Sequence, residues 1–122
     1  MALRYLIDEN LRGPLWTALL RANANRSQTL ELACVGDDPD LPLSLSDREL
    51  LLWAEAHGFV VVSSDLRTMP VHLGAHLDGG HHSEGVFLID LPCSIPRIIE
   101  ALLYYADEPE TSLWRDRISY IP

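Results

Sequence analysis

Three short apolar runs in this chain end the same way, against a carboxylate. Leu3 to Ile7 leads into Asp8, Phe59 to Ser63 leads almost at once into Asp65, and Gly85 to Ile89 leads into Asp90. Runs of this length are short for a buried helix and lack the polar alternation of a strand with one wet face. They read as strands covered on both sides. Covering both sides requires helices above and below a parallel sheet. In such sheets ligands bind beyond the carboxyl ends of the strands, near the point where strand order reverses. The three aspartates therefore stand on the edge where chemistry is normally placed.

The intervening segments supply the helices. Pro14 suits a first helical turn, and Leu15, Trp16, Leu19 and Leu20 recur at helical spacing up to Asn23-Ala24-Asn25. Thr29 to Val35 is a second strand candidate, closed by Gly36 and an acidic, proline-bearing loop. Ser46, three residues before Glu49, forms a capping box at the start of a helix that carries Leu50, Leu51, Trp53 and Ala54 and ends at His57-Gly58. Residues 66 to 84, with Pro70, a glycine pair and four histidines, read as an irregular connection, and so long a loop in a small domain points to function or mobility. An apolar helix over Ile95 to Ala106 is expected after Pro92 and Pro96, and Ile118 to Ile121 adds an edge strand. The expected fold is α/β: a three-layer α/β/α sandwich with a central, mainly parallel sheet, in a single domain over residues 1–122.

With 122 residues, 48% of them hydrophobic, the chain can bury a core without covalent staples. Cys34 and Cys93 lie far apart with no metal-ligand spacing, and they read as core residues in a reducing compartment. No basic segment precedes an apolar stretch of leader type, and no apolar run approaches bilayer length, so a soluble cytoplasmic protein with no membrane partner is expected. A formal charge of −9 argues against coating nucleic acid through a broad positive field, but leaves room for a nuclease whose acids hold cations. All nine basic residues are arginine, which excludes any mechanism that needs a lysine.

Carboxylates brought together repel one another, so a group of them persists only with a shared proton or a compensating cation. Hard oxygen donors suit Mg²⁺ or Mn²⁺. Asp8, Glu9 and Asp65, with the helix-start pair Asp47 and Glu49, are thus candidates for a divalent-metal site that positions a phosphodiester and activates water. Acids at strand ends and helix starts also serve simply as caps. Receiver domains and haloacid-dehalogenase-type phosphatases place acids similarly, but both require a lysine. The second also wants an aspartate where this chain has Asn10. A PIN-type nuclease needs only scattered acids and metal.

The stretches "LIDENL" and "LSDRELLLWAEAHGFVVVSSD" resemble the PIN-like domain family known as domain of unknown function 5615. Asp8-Glu9-Asn10 matches its first motif, Asp47 its helix-start aspartate, and Ser63-Ser64-Asp65 its strand-end Thr/Ser-x-Asp. "LRTMP", "HHSEGVFLI" and "SLWRDRISYIP" are similar to one branch, so the resemblance runs over essentially the whole chain. It implies an α/β/α sandwich and a Mg²⁺- or Mn²⁺-dependent ribonuclease, acting on RNA as the toxin of a type II toxin–antitoxin pair with an antitoxin protein as partner. It also implies that Asp8, Asp47 and Asp65 are the catalytic and metal-binding acids, with Glu9 or Glu49 supporting and Asn10 orienting a ligand or water. One departure stands out: Arg67 occupies a position where many members of the family carry a second aspartate. Asp90 is a candidate substitute. The alternative reading is a catalytically weak or inactive module that works by binding a protein partner.

His72, His76 and the pair His81-His82 invite a zinc reading, but Gly74, Gly79 and Gly80 argue against a continuous helix and no HExxH glutamate accompanies them. A polar loop near the site is the default, with a histidine available for phosphate contact or proton transfer. Arg12 and Arg67 are candidates for phosphate contact or are ordinary surface arginines. Trp16 and Trp53 read as core, Trp114 as harder to bury, and Tyr104-Tyr105 as a candidate homodimer surface.

Overall fold

The computed structural model describes residues 2–90 and 93–121, so Pro92 lies outside the described residues. Five strands, β1 (Tyr5–Ile7), β2 (Leu32–Cys34), β3 (Val60–Ser63), β4 (Val86–Ile89) and β5 (Ile118–Ile121), form one sheet in the order β2-β1-β3-β4-β5. Every pairing is parallel, with Leu6 beside Ala33 on one side and Val61 on the other. Four helices accompany it: α1 (Pro14–Ala24), α2 (Asp47–His57), α3 (Met69–Asp78) and α4 (Ile95–Ala106).

Alternate strand residues feed two cores, as the pleat requires. Tyr5, Ile7, Val60, Val62, Phe87 and Ile89 pack with Leu15 and Leu19 of α1 and Ile98 and Leu102 of α4. Leu6, Val61, Val86 and Leu88 pack with Leu50, Leu51 and Ala54 of α2 and Met69 and Leu73 of α3. The three-layer sandwich follows from this division. No helix among the described residues is long and apolar enough to cross a membrane.

Two boundaries differ from the sequence reading. The second strand begins at Leu32 because Asn23, near the end of α1, takes both backbone groups of Leu30: its Oδ1 accepts the Leu30 N–H at 2.7 Å and its Nδ2 donates to the Leu30 carbonyl at 3.0 Å. The connection over 66 to 84 contains a full helix, α3. Met69, Leu73 and His76 recur on its buried face, Pro70 sits in the first turn where its missing N–H costs nothing, and Gly74 lies on the exposed side. One half of the expected capping box of α2 forms: Ser46 Oγ accepts the Glu49 N–H at 3.1 Å, while the Glu49 carboxylate accepts the Ser46 hydroxyl at 2.9 Å, and Gly58 closes the helix in the left-handed region at φ 77°.

The aromatic residues edge the cores. Trp16 is half-buried and donates its indole N–H to Asp37 at 3.0 Å, while Trp53 stacks on His57 with ring centroids 4.0 Å apart. Trp114 is covered by Phe87 and Tyr105, each with ring centroids 5.1 Å away. Tyr105 packs inward, so Tyr104 alone of the tyrosine pair is strongly exposed.

Candidate functional site

The strand order reverses at β1: the chain passes to β2 on one side and then to β3 on the other. Asp8 and Asp65 follow the two strands that flank this switch point, where a crevice opens in parallel sheets. Asp8 is buried, at 9% exposure. Its Oδ1 accepts the Glu9 N–H at 2.7 Å, and its Oδ2 accepts the Ser63 hydroxyl at 2.8 Å, with Asn10 Nδ2 at 3.5 Å. Burial pushes the Asp8 carboxyl above the ordinary aspartate range. The Ser63 and Glu9 donors oppose that shift, and the nearby charges of Asp47 and Asp65 add to it.

Ser63 also receives the Asp65 N–H on its Oγ at 3.1 Å, so one hydroxyl links both acids. The Asp65 carboxylate faces the turn leading into α3. It accepts the Arg67 N–H at 3.3 Å, the Thr68 N–H at 3.0 Å and the Thr68 hydroxyl. These donors, led by the Thr68 hydroxyl, hold Asp65 below its ordinary range, with His72 contributing. Asp47, the first residue of α2, lies 3.5 Å from His72 Nε2 across the α2–α3 groove. The acids of the three sequence motifs thus share one electrostatic neighbourhood, with a histidine beside two of them.

They do not form a closed ligand cage. Among the described residues, the one group of three or more His, Cys, Asp or Glu side chains whose donor atoms all lie within 4.8 Å of one another is Glu55, His76 and His81. Glu9 is exposed, and its Oε1 accepts the Ser44 N–H at 2.5 Å, pinning the 37–46 loop. Asn10 bridges the two strand ends, its Oδ1 accepting the Ser64 N–H at 3.4 Å. Glu49 is occupied by the Ser46 hydroxyl at 2.9 Å. Asp90 follows β4, one strand farther from β1 than β3 is, and is exposed.

Arg12 is committed elsewhere: its Nη1 donates to the Val35 carbonyl and to Asp37 Oδ1, both at 2.7 Å, and it lies over Gly36, where a Cβ would meet it at 2.6 Å. Arg67 is exposed and makes no ion pair among the described residues, which leaves it available to an anion at this edge. The motif reading missed Thr68 as the group that fixes Asp65, and His72 as the partner of Asp47. An aspartate three residues before a threonine at a helix start was a local signal for the first. The second needed α3. No family model, curated protein or solved structure matches this chain. The resemblance to the PIN-like family therefore rests on the residues quoted for it.

Proposed function

We propose that this chain is a divalent-metal-dependent endoribonuclease of PIN-like type, with Asp8, Asp47 and Asp65 as the acids that hold Mg²⁺ or Mn²⁺. The observation that carries the reading is Asp8: a carboxylate buried at the switch point of a parallel sheet, raised by desolvation and by two neighbouring acids, with no arginine paired to it among the described residues. A divalent ion supplies the missing positive charge, neutralises phosphate oxygens and acidifies a water. The donor set fits such an ion, since Mg²⁺ takes one or two carboxylates directly and keeps several waters, so no closed cage is required. Asn10 and Ser63 hold the Asp8 oxygens in place. His72, beside Asp47, is positioned to exchange a proton with bound substrate, and Arg67 to receive a phosphate oxygen of RNA.

The family resemblance adds the role of a toxin held by an antitoxin, and a paired homodimer would leave Tyr104 on the contact face. A second reading, a non-catalytic module that binds a protein partner, is favoured by Arg67 in place of an acid and by the capture of the Asp65 oxygens in the Thr68 turn. Calorimetry with Mn²⁺ on the metal-stripped protein and on Asp8→Asn, run beside a single-stranded RNA cleavage assay, separates the two. Binding and cleavage that both disappear in Asp8→Asn support the nuclease. Wild-type protein that binds no Mn²⁺ and leaves RNA intact refutes it.

A further inference from the structure

The histidines beyond the acidic edge form a group that the motifs do not use. With α3 helical, His76 projects from its buried face, and His81 follows shortly after the helix ends at Gly79. The acid that the linear pattern lacks comes from α2. Glu55 Oε1 lies 2.9 Å from His81 Nδ1 and 3.5 Å from His76 Nε2, and the two imidazoles stack with centroids 4.8 Å apart. Tetrahedral donors about 2.0–2.1 Å from a zinc ion are roughly 3.3 Å from one another; the two separations to Glu55 bracket that value, and the donor atoms of all three residues lie within 4.8 Å of one another.

We propose that Glu55, His76 and His81 form a binding site for a zinc-class transition-metal ion, distinct from the acidic edge, that clamps α2 to α3. Two imidazoles are borderline donors, and their addition to a single hard carboxylate favours Zn²⁺ over the Mg²⁺ and Mn²⁺ suited to the all-oxygen aspartate edge. The shell around the three is ordered. The His82 N–H donates to Glu55 Oε2 at 2.8 Å and orients the carboxylate. His76 is almost wholly buried, at 3% side-chain exposure, while Glu55 and His81 are reached from solvent at 29% and 46%.

Without an ion, His76 Nε2 donates to the His82 carbonyl at 2.8 Å, and His81 Nδ1 donates to Glu55, since carbonyl and carboxylate oxygens can only accept. An ion takes the place of these two protons, each ring moving its proton to the other nitrogen, and the His82 carbonyl is released from His76. A cavity of about 310 Å³ adjoins the cluster and has room for water as the fourth ligand; His76 and His81 line it together with Leu52 and Ala75, and Arg48 and His72 line it as well.

The test is titration of the metal-stripped full chain with Zn²⁺, and with Co²⁺ as a spectroscopic stand-in. One ion per chain is expected at this site, counted in Asp8→Asn so that the acidic edge does not contribute, with visible Co²⁺ bands that Zn²⁺ displaces. Affinity should fall by more than about tenfold in His81→Ala and in Glu55→Gln, both at solvent-reached positions, and stay unchanged in Asp8→Asn. Absence of stoichiometric binding overturns the proposal. So does binding that survives both substitutions together, or that is lost only in Asp8→Asn, which would assign the ion to the acidic edge. Because the nuclease reading is tested with Mn²⁺ and Asp8→Asn, either proposal can fail without the other.

Discussion

The Ser63 hydroxyl donates to the Asp8 carboxylate across 2.8 Å, joining the ends of the adjacent strands β1 and β3. Ser63 is fully buried, and the same oxygen accepts the Asp65 N–H at 3.1 Å. Removing it leaves the buried Asp8 Oδ2 only the long contact from Asn10 at 3.5 Å and takes the acceptor from the Asp65 N–H. Ser63→Ala should therefore cost about 1–3 kcal/mol in urea unfolding and move the Asp8 carboxyl still higher, read by carboxyl NMR titration. A stability within error of wild type would mean that water replaces the hydroxyl without loss.

Asp8 is held above the ordinary aspartate range by its burial. The folded protein therefore binds this proton more tightly than the unfolded chain does. The resulting stabilisation is full below the unfolded value near 3.8 and is lost as pH rises through the folded value. Asp8→Asn removes this dependence while keeping an acceptor for the Glu9 N–H. In chelator, the melting temperature of the variant relative to wild type should rise between about pH 4 and pH 7. A constant difference over that range would show that Asp8 titrates alike in the folded and unfolded chain.

What the linear order made legible follows from local chemistry. Strands β1, β3 and β4 are covered on both faces, so their apolar runs are continuous and hard to mistake. The start of α2 is written in a capping box that needs no tertiary partner. Helix α3 is hidden because Pro70, Gly74, Gly79 and Gly80 imitate a turn-rich loop, and because one of its core positions is His76, which a polarity pattern scores as surface. At the site, the pairing of Asp8 with Asp65 follows from strand ends at a switch point. The contact of Asp47 with His72 and the meeting of Glu55 with His76 and His81 depend on how α2 lies against α3. That packing is set by Leu50, Leu51, Met69 and Leu73, none of which carries information about the ligands.

The Asp65 carboxyl runs the opposite way from Asp8, because Thr68 favours its charged form. Its contribution is present above the unfolded value near 3.8 and is lost as pH falls through the lower folded value. Thr68→Val removes the hydroxyl donor at an exposed position. It should return Asp65 toward its ordinary range and cost about 0.5–1.5 kcal/mol at neutral pH. Urea midpoints measured at neutral and acidic pH should show the deficit shrinking as Asp65 is protonated. A deficit independent of pH would assign the loss to the helix start and not to the carboxylate.

Arg67 stands two residues after Asp65, exposed and without an ion pair among the described residues. If the acidic edge holds a cation, a positive side chain here opposes it, and an acid assists it. Arg67→Asp should strengthen Mn²⁺ binding by roughly fivefold, the equivalent of about 1 kcal/mol between charges near the surface. Arg67→Asn, which only removes the positive charge, should gain less. The ordering aspartate above asparagine above arginine, read by calorimetry at low salt and compressed at high salt, is what an electrostatic site requires. Equal affinities for all three would place Mn²⁺ away from Asp65, whereas weaker binding in Arg67→Asp would mean that the turn through Thr68, and not the charge of the edge, governs access to the Asp65 oxygens.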